Sequence, residues 1–222
     1  MATETKERVL DAAERLFADR GFSATSLRDI TAEASVNLAS VNYHFGTKEA
    51  LLASVLERRF RPINERRLEL LDEIEARASD QPPEAEDVLR AFLAPPFQKQ
   101  QEWGESGHTF LRLVGRVHAE TNEEHRATYV QQFDEVVRRF TAALAVALPH
   151  LDRSDLRWRM LFLIGSMAFA MGGRSALITR DPECARDPDD IIESLIQFAA
   201  AGMSAPVPLA VPVVPRTKGY AT

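Results

Sequence analysis

Residues 26–51, SLRDITAEASVNLASVNYHFGTKEAL, decide the reading of this chain. Ser26 followed by Asp29 is a capping-box variant that predicts a helix start, and Leu27, Ile30 and Ala34 then recur at i, i+3 and i+7 on one stripe. Asn37 is a second cap. Behind it Leu38, Val41 and Phe45 share a stripe at helical spacing, so Ala39, Ser40 and Tyr43 point the opposite way, with Asn42 and His44 on the two flanks. Gly46 supplies the left-handed residue at which helices stop, and Thr47 caps the chain again before Lys48, Glu49 and Ala50. Upstream, Val9, Leu10, Ala13, Leu16 and Phe17 form an amphipathic stripe that ends at Arg20-Gly21. Two short helices around a tight turn, with a helix before and another opening behind, have the layout of a helix-turn-helix.

The outward face of the second short helix suits a DNA major groove. Ala39 and Ser40 are small enough to let the backbone approach base edges, and Asn42 matches the N6 and N7 positions of adenine. Tyr43, His44 and Lys48 are placed for phosphates. Val41 and Phe45 read as packing residues.

This segment resembles the DNA-binding domain of the tetracycline-repressor (TetR) family of transcriptional regulators. The resemblance is carried by Ala12-Ala13, Leu16-Phe17, Gly21-Phe22, Thr25, Ile30-Thr31, Ala34, Val36, the signature Tyr43-His44-Phe45, and Lys48, Glu49 and Leu51. It implies an all-α homodimer. Three N-terminal helices (residues 1–47) would read DNA, a helical part (48–204) would dimerise and hold a small-molecule inducer, and a proline-rich tail (205–222) would follow. It also implies base or groove contacts from Arg28, Ala39, Ser40 and Asn42 and backbone contacts from Tyr43, His44 and Lys48. Ser26 and Asn37, at the two helix N-termini, complete the candidate DNA-contacting set. Ser35 departs from the pattern, because family members usually carry glycine in that turn; if the position needs φ > 0, serine adds strain or the turn differs.

Charge refines the expectation. The net charge is −6, opposite to that of a nonspecific nucleic-acid coat protein, and the first 50 residues hold six lysines and arginines against eight acids. DNA affinity should therefore rest on a few well-placed groups, need dimerisation and have a shallow salt slope. The lone Cys184 cannot form an intramolecular disulfide, and residues 1–20 read as a charged amphipathic helix, not a signal or transit peptide. The cytoplasm is the expected compartment. The longest apolar run, Met160 to Gly173, is too short to span a bilayer and is flanked by Arg157, Arg159 and Arg174; it reads as a helix buried in protein, with no membrane partner.

The rest of the chain is patterned as helices. From Thr47 the helical stripe continues to Phe60, with Pro62 kinking or ending it, and because helix four links reader to sensor in the TetR family, the resemblance implies that Lys48 to Phe60 is the lever. Asn64 to Ala78 follows, then a turn at SDQPPE. A helix over 85–101 should break at Pro95-Pro96, Gly104 and Gly107 should bracket a loop, and Thr109 to Glu120 and Asn122 to Leu148 should be helices. Asp155 to Leu177, capped by Ser154, is apolar on nearly every side, and Asp189 to Met203 is amphipathic. This last pair from each of two subunits would make a four-helix dimer interface through Trp158, Leu161, Gly165, Ala168, Ile192, Leu195, Ile196 and Ala199; a purely intramolecular core is the alternative. The tail, with Pro206, Pro208, Pro212 and Pro215, is extended or disordered.

Arg112 and Arg116 share one face among Phe110, Leu113, Val114 and Val117. Either they meet an anionic head group in an apolar pocket, or they face water or pair with Glu102, Glu105, Glu120 or Glu124. Phe110, Arg112, Leu113, Arg116, Phe133 and Phe169 are the candidate ligand contacts. The run Val36 to Phe45 also resembles a TetR subgroup that regulates fatty-acid metabolism, which implies acyl chains or acyl-CoA thioesters as inducer. His108, His118, Glu124 and His125 match no metal-ligand spacing, and no GxSxG, P-loop, GxGxxG or HExxH motif is present. No metal, cofactor or enzymatic activity is expected. The reading is a ligand-responsive repressor of a palindromic operator; the alternatives are a ligand-independent architectural protein and a helical enzyme.

Overall fold

The computed structural model describes residues 2–78, 81–119, 127, 129–171 and 186–207. Among these, all regular structure is helical. The helices are α1 (Ala2–Arg20), α2 (Leu27–Ala34), α3 (Leu38–Phe45), α4 (Lys48–Ala78), α5 (Ala85–Trp103), α6 (Glu105–Ala119), α7 (Asp134–Ala147), α8 (Arg153–Met171) and α9 (Pro188–Ser204).

Local capping sets the first boundaries. The Ser26 hydroxyl accepts from the Asp29 N–H at 3.2 Å, and the Ser26 N–H donates back to Asp29 Oδ2 at 2.8 Å. The Ser26 hydroxyl also donates to Asp29 Oδ2, and this bond first, then that from the Ser26 N–H, holds the Asp29 carboxyl below its usual range. Asn37 Oδ1 accepts from the Ser40 N–H at 2.8 Å and starts α3. Ser35 ends α2 with φ 51° and ψ 49°, the left-handed conformation that its missing glycine foretold. The loop is braced instead by Arg8, whose guanidinium donates to the carbonyls of Ala34 and Ser35.

Two apolar cores fill the molecule. One gathers α1, α2, α3 and Leu51 to Ile63 of α4, and takes in Phe110, Leu113 and Val117 from α6. The other joins Leu71 and Ile74 of α4 to α5, α7, α8 and α9. Helix α4 passes through both, so a single element enters the packing of the reader and of the C-terminal bundle.

Several boundaries differ from the sequence expectation. Pro62 neither ends nor divides α4, and α5 runs through Pro95 and Pro96 without interruption. Proline at 96 leaves the Phe92 carbonyl without its helical donor, and Arg67 Nε supplies one at 2.8 Å. Only Gly104 separates α5 from α6, while Gly107 lies inside α6, where a Cβ would come 2.8 Å from the Gln100 carbonyl oxygen. That missing side chain lets the two helices touch. The long helix expected from Asn122 turns at Gln132–Phe133, ahead of α7, and Asn64 Nδ2 donates to the Gln132 carbonyl at 2.7 Å; residues 122–126 lie outside the described residues. Asp152, not Ser154, caps α8, accepting from the N–H groups of Ser154 and Asp155 at 2.7 and 2.8 Å. Residues 172–177 and the tail from Pro208 lie outside the described residues, as do Cys184, Glu120, Glu124 and His125.

Candidate DNA-binding interface and sensor core

Helix α3 is anchored through Val41 and Phe45, both buried, while Asn37, Ala39, Asn42 and Tyr43 are exposed. Tyr43 is 85% exposed, with its ring edge-on to His44 at 5.2 Å. Leu38, expected on the buried stripe, is instead 40% exposed, because the first residue of α3 overhangs the core. Arg28 and Ser26 of the preceding helix are exposed beside this face, and Ser40 and His44 are half-buried. Ser26, Asn37 and Ser40 are partly committed to capping: the Ser40 hydroxyl donates to Asn37 Oδ1 at 2.9 Å. A small, polar, solvent-facing strip on an anchored helix can enter a major groove and offer donors and acceptors to base edges.

Lys48 has a structural role beside the phosphate contact expected of it. Its ammonium donates to the carbonyls of Phe22 and Thr25 at 3.0 and 2.9 Å and sits 4.1 Å from the Phe22 ring centroid. Two of its three N–H groups thus tie the start of α4 to the α1–α2 loop, which restrains the mount of α3 from behind. Thr25, buried there, donates to the Gly21 carbonyl at 2.8 Å and strengthens the same corner.

Helix α1 is gripped from two sides. On one, Glu14, with 3% of its side chain exposed, accepts Arg59 Nη2 at 2.7 Å, Arg59 Nε at 2.9 Å and Arg58 Nη2 at 2.8 Å. Arg58 also reaches Glu7 and Asp11, and Arg59 stacks over Trp103 at 4.7 Å. On the other side, α6 seizes the C-terminus of α1: Arg116 donates to the carbonyls of Ala18 and Asp19 at 2.6 and 2.7 Å, and Arg112 pairs with Asp19 at 3.1 Å. A cation at a helix C-terminus satisfies orphan carbonyls and complements the helix dipole. Arg112 and Arg116 thus turn to the end of α1 and not into an apolar pocket; both are exposed, in keeping with the water-facing alternative, and of the carboxylates named as alternative partners Glu120 and Glu124 lie outside the described residues. Their link to the reader is absent from the helical stripe, because the acceptors lie more than 90 residues away.

The other candidate ligand contacts divide. Phe110 and Leu113 are buried, and the rings of Phe110 and Phe133 meet Phe60 edge-on at 4.9 and 4.6 Å. Phe169 is 65% exposed on the outside of α8, so it does not line an interior. Ile192, Leu195, Ile196 and Ala199 are buried within their own subunit, packed on α5 and α8, and are corrected from interface to core. Trp158, Leu161, Gly165 and Ala168 are exposed in the single subunit, which by itself buries only the opposite side of α8. Sequence reasoning missed their neighbours Phe162 and Phe198, both exposed. Phe198 carried a usable signal, being a large apolar residue off the stripe that α9 buries. His108 Nδ1 lies 3.1 Å from the Gly104 carbonyl oxygen, and among the described residues no three metal-ligating side chains converge. No helix among them is long and apolar enough to cross a membrane.

Comparison with known proteins agrees with this geometry. The family described as bacterial regulatory proteins, tetR family, matches residues 9–55, and the tetracyclin repressor-like C-terminal domain family matches residues 90–202. Over 54 residues, 24% of this chain, it is 50% identical to an HTH-type transcriptional repressor of Mycobacterium tuberculosis, covering 29% of that protein. Over 56 residues, 25% of this chain, it is 39% identical to the HTH-type transcriptional regulator AcrR of Shigella flexneri, covering 26% of it. The chain thus matches less than a third of the length of these relatives. The fold is shared with the fatty acid degradation regulator FadR of Bacillus halodurans, at TM-score 0.64 and 15% identity over 89% of this chain and 95% of that one. It is also shared with the TetR family regulator PfmR of Thermus thermophilus, at TM-score 0.59 and 17% identity over 88% and 94%. With an exposed α3 on a helix-turn-helix, and family matches in both the reader and the C-terminal bundle, the chain belongs to the TetR family of DNA-binding transcriptional regulators.

Proposed function

We propose that this chain represses transcription as a cytoplasmic homodimer, placing two copies of α3 in successive major grooves of a palindromic operator and leaving the DNA when a small apolar ligand enters the C-terminal bundle. Residues 1–47 read the DNA, and residues 48–204 sense and dimerise. The exposed polar face of α3, anchored by Val41 and Phe45, carries the reading. Base-edge contacts fall to Arg28, Ala39, Ser40 and Asn42, and phosphate contacts to Tyr43 and His44. Two copies must present α3 about one helical turn of DNA apart, or a small multiple.

Trp158, Leu161, Phe162 and Phe198 support dimerisation, because this many exposed apolar side chains on two adjacent helices exceed what a monomer leaves bare. Gly165 and Ala168 remove bulk between them, so a second copy can approach closely. A pocket of about 150 Å³ bordered by Phe162, Ser166, Phe198 and Gly202 offers a hole for a partner side chain.

Ligand control would act on α1. Arg112 and Arg116 tie it to α6, and Arg58 and Arg59 tie it to α4, so a shift of either helix moves the reader as a body. Reversing the population from 99:1 to 1:99 needs about 5.5 kcal/mol of differential affinity. The aromatic group of buried Phe60 and Phe110 and half-buried Phe133 suits an acyl chain, and the FadR neighbour is named for fatty acid degradation.

The test is selection of bound duplexes from a random pool, followed by fluorescence anisotropy on the enriched site. A palindromic site is expected, and Asn42→Ala should relax preference at one base position per half-site at a cost of about 1–3 kcal/mol. Recovery of no consensus, or unaltered base preference in Asn42→Ala, would refute the respective assignment.

A further inference from the structure

Arg67 is buried with 1% of its surface exposed, and nothing in the DNA-reading mechanism uses it. Arg58 and Arg59, themselves largely buried, meet the carboxylate of Glu14, while Arg8, Arg116 and Arg159 meet backbone carbonyls from more exposed positions. Arg67, the most enclosed of these, meets only neutral acceptors among the described residues. Its Nε donates to the Phe92 carbonyl at 2.8 Å and its Nη1 to Asn64 Oδ1 at 3.2 Å, while Nη2 has the Met167 thioether at 3.4 Å. The guanidinium lies 4.4 Å from the Phe92 ring centroid.

A thioether is a weak acceptor, and a buried guanidinium is rarely left without an anion. Burial pulls the Arg67 guanidinium down to about 9, and pushes the nearby Tyr129 phenol up to about 12 against the opposing pull of Arg67. Both shifts report the same water-poor surroundings, in which an arriving negative charge would be held strongly. The apolar body of a ligand would also find company there. Arg67 stands on α4 between Phe60 and Ile63, which belong to the reader-side core, and Leu71 and Ile74, which belong to the core shared with α8 and α9.

We infer that Arg67 is the anion-recognising residue of the sensor, and that the ligand is an organic carboxylate with an apolar body whose head group takes the Nη2 edge now facing Met167. This deepens the proposed ligand response and rests on it. Met167 is flexible enough to yield that edge, since an unbranched thioether adopts many shapes. The carboxylate would wedge the seam where α4, α5 and α8 meet, between the half that carries the reader and the half that carries the exposed apolar face.

The test uses the full chain with octanoate and 4-phenylbutyrate, each matched with its primary amide, in thermal-shift and calorimetric titrations. The amides keep shape and apolar surface but lack the charge. Saturating carboxylate should raise the melting temperature by about 5 °C or more, with little effect from the amides. Arg67→Gln should weaken the carboxylate at least about 30-fold, and Arg67→Met likewise. If either variant fails to fold, the comparison of acid with amide on the unaltered protein decides alone. Equal shifts from acids and amides, no shift from either acid up to about 5 mM, or undiminished affinity in folded Arg67→Gln would each overturn the inference. Selection of duplexes by the unliganded protein is run in parallel: a consensus site with no carboxylate binding sinks the ligand class alone, whereas absence of a consensus sinks the regulator reading.

Discussion

The attachment of α1 to α4 through Glu14 gives a quantitative expectation. Substituting Glu14→Gln keeps the shape but removes the charge that two guanidiniums share at 2.7 to 2.9 Å in a site with 3% exposure. Removing one partner of a fully buried pair costs about 3–5 kcal/mol, because the other charge is left uncompensated. Here the survivors are partly relieved: Arg58 is 21% exposed and keeps Glu7 and Asp11, and Arg59 is 13% exposed and keeps its stack on Trp103. The glutamine carbonyl also retains one acceptor, so the expected loss is about 2–3 kcal/mol, or about 5–10 °C in melting temperature. Urea denaturation at fixed protein concentration measures it, and Arg59→Met completes a double-mutant cycle whose coupling isolates the pair. Glu33→Gln is the control, because its pair with Arg15 is about half exposed on both sides and should change stability by less than about 0.5 kcal/mol. A loss below about 1 kcal/mol for Glu14→Gln, or one equal to the Glu33 control, would refute the claim that this carboxylate fastens the reader helix to α4.

Three further outcomes are expected. Ser35→Gly should stabilise by about 0.5–1 kcal/mol, since glycine relieves the left-handed φ of 51° but loses more chain entropy; denaturation showing a destabilised variant would contradict this. Lys48→Ala should lower the melting temperature as well as weaken every DNA sequence alike, because its ammonium bridges the Phe22 and Thr25 carbonyls; weakened DNA binding at unchanged stability would restore a purely phosphate-contacting role. Phe162→Glu should convert a dimer to a folded monomer by sedimentation at micromolar protein, since it adds charge to an outer face 63% exposed in the subunit; a dimer of unchanged affinity would move the interface elsewhere.

The reader was legible in the sequence to the level of single hydrogen bonds. The Ser26–Asp29 box and the Asn37 cap act within four residues, and Ser35 announced its left-handed conformation by replacing an expected glycine. Prolines misled because their effect depends on what stands nearby: Arg67 supplies the donor that Pro96 withholds from the Phe92 carbonyl, and the helix continues. In α8 the pattern named apolar residues without telling Leu163, buried in its own subunit, from Phe162 beside it, which faces out.

Local sequence alone determined that the chain is helical, where the helix-turn-helix begins, and which side of α3 faces solvent, because capping bonds and the 3.6-residue repeat are completed within a few residues. Tertiary structure alone decided that Arg112 and Arg116 hold the end of α1, that Lys48 braces the α1–α2 loop, that Ile192, Leu195, Ile196 and Ala199 serve the subunit core, and that Arg67 lies enclosed without a carboxylate among the described residues. A sequence lists which side chains are charged or apolar. The energy of each is set by the neighbours that distant segments bring to it, and those are chosen only when the helices pack.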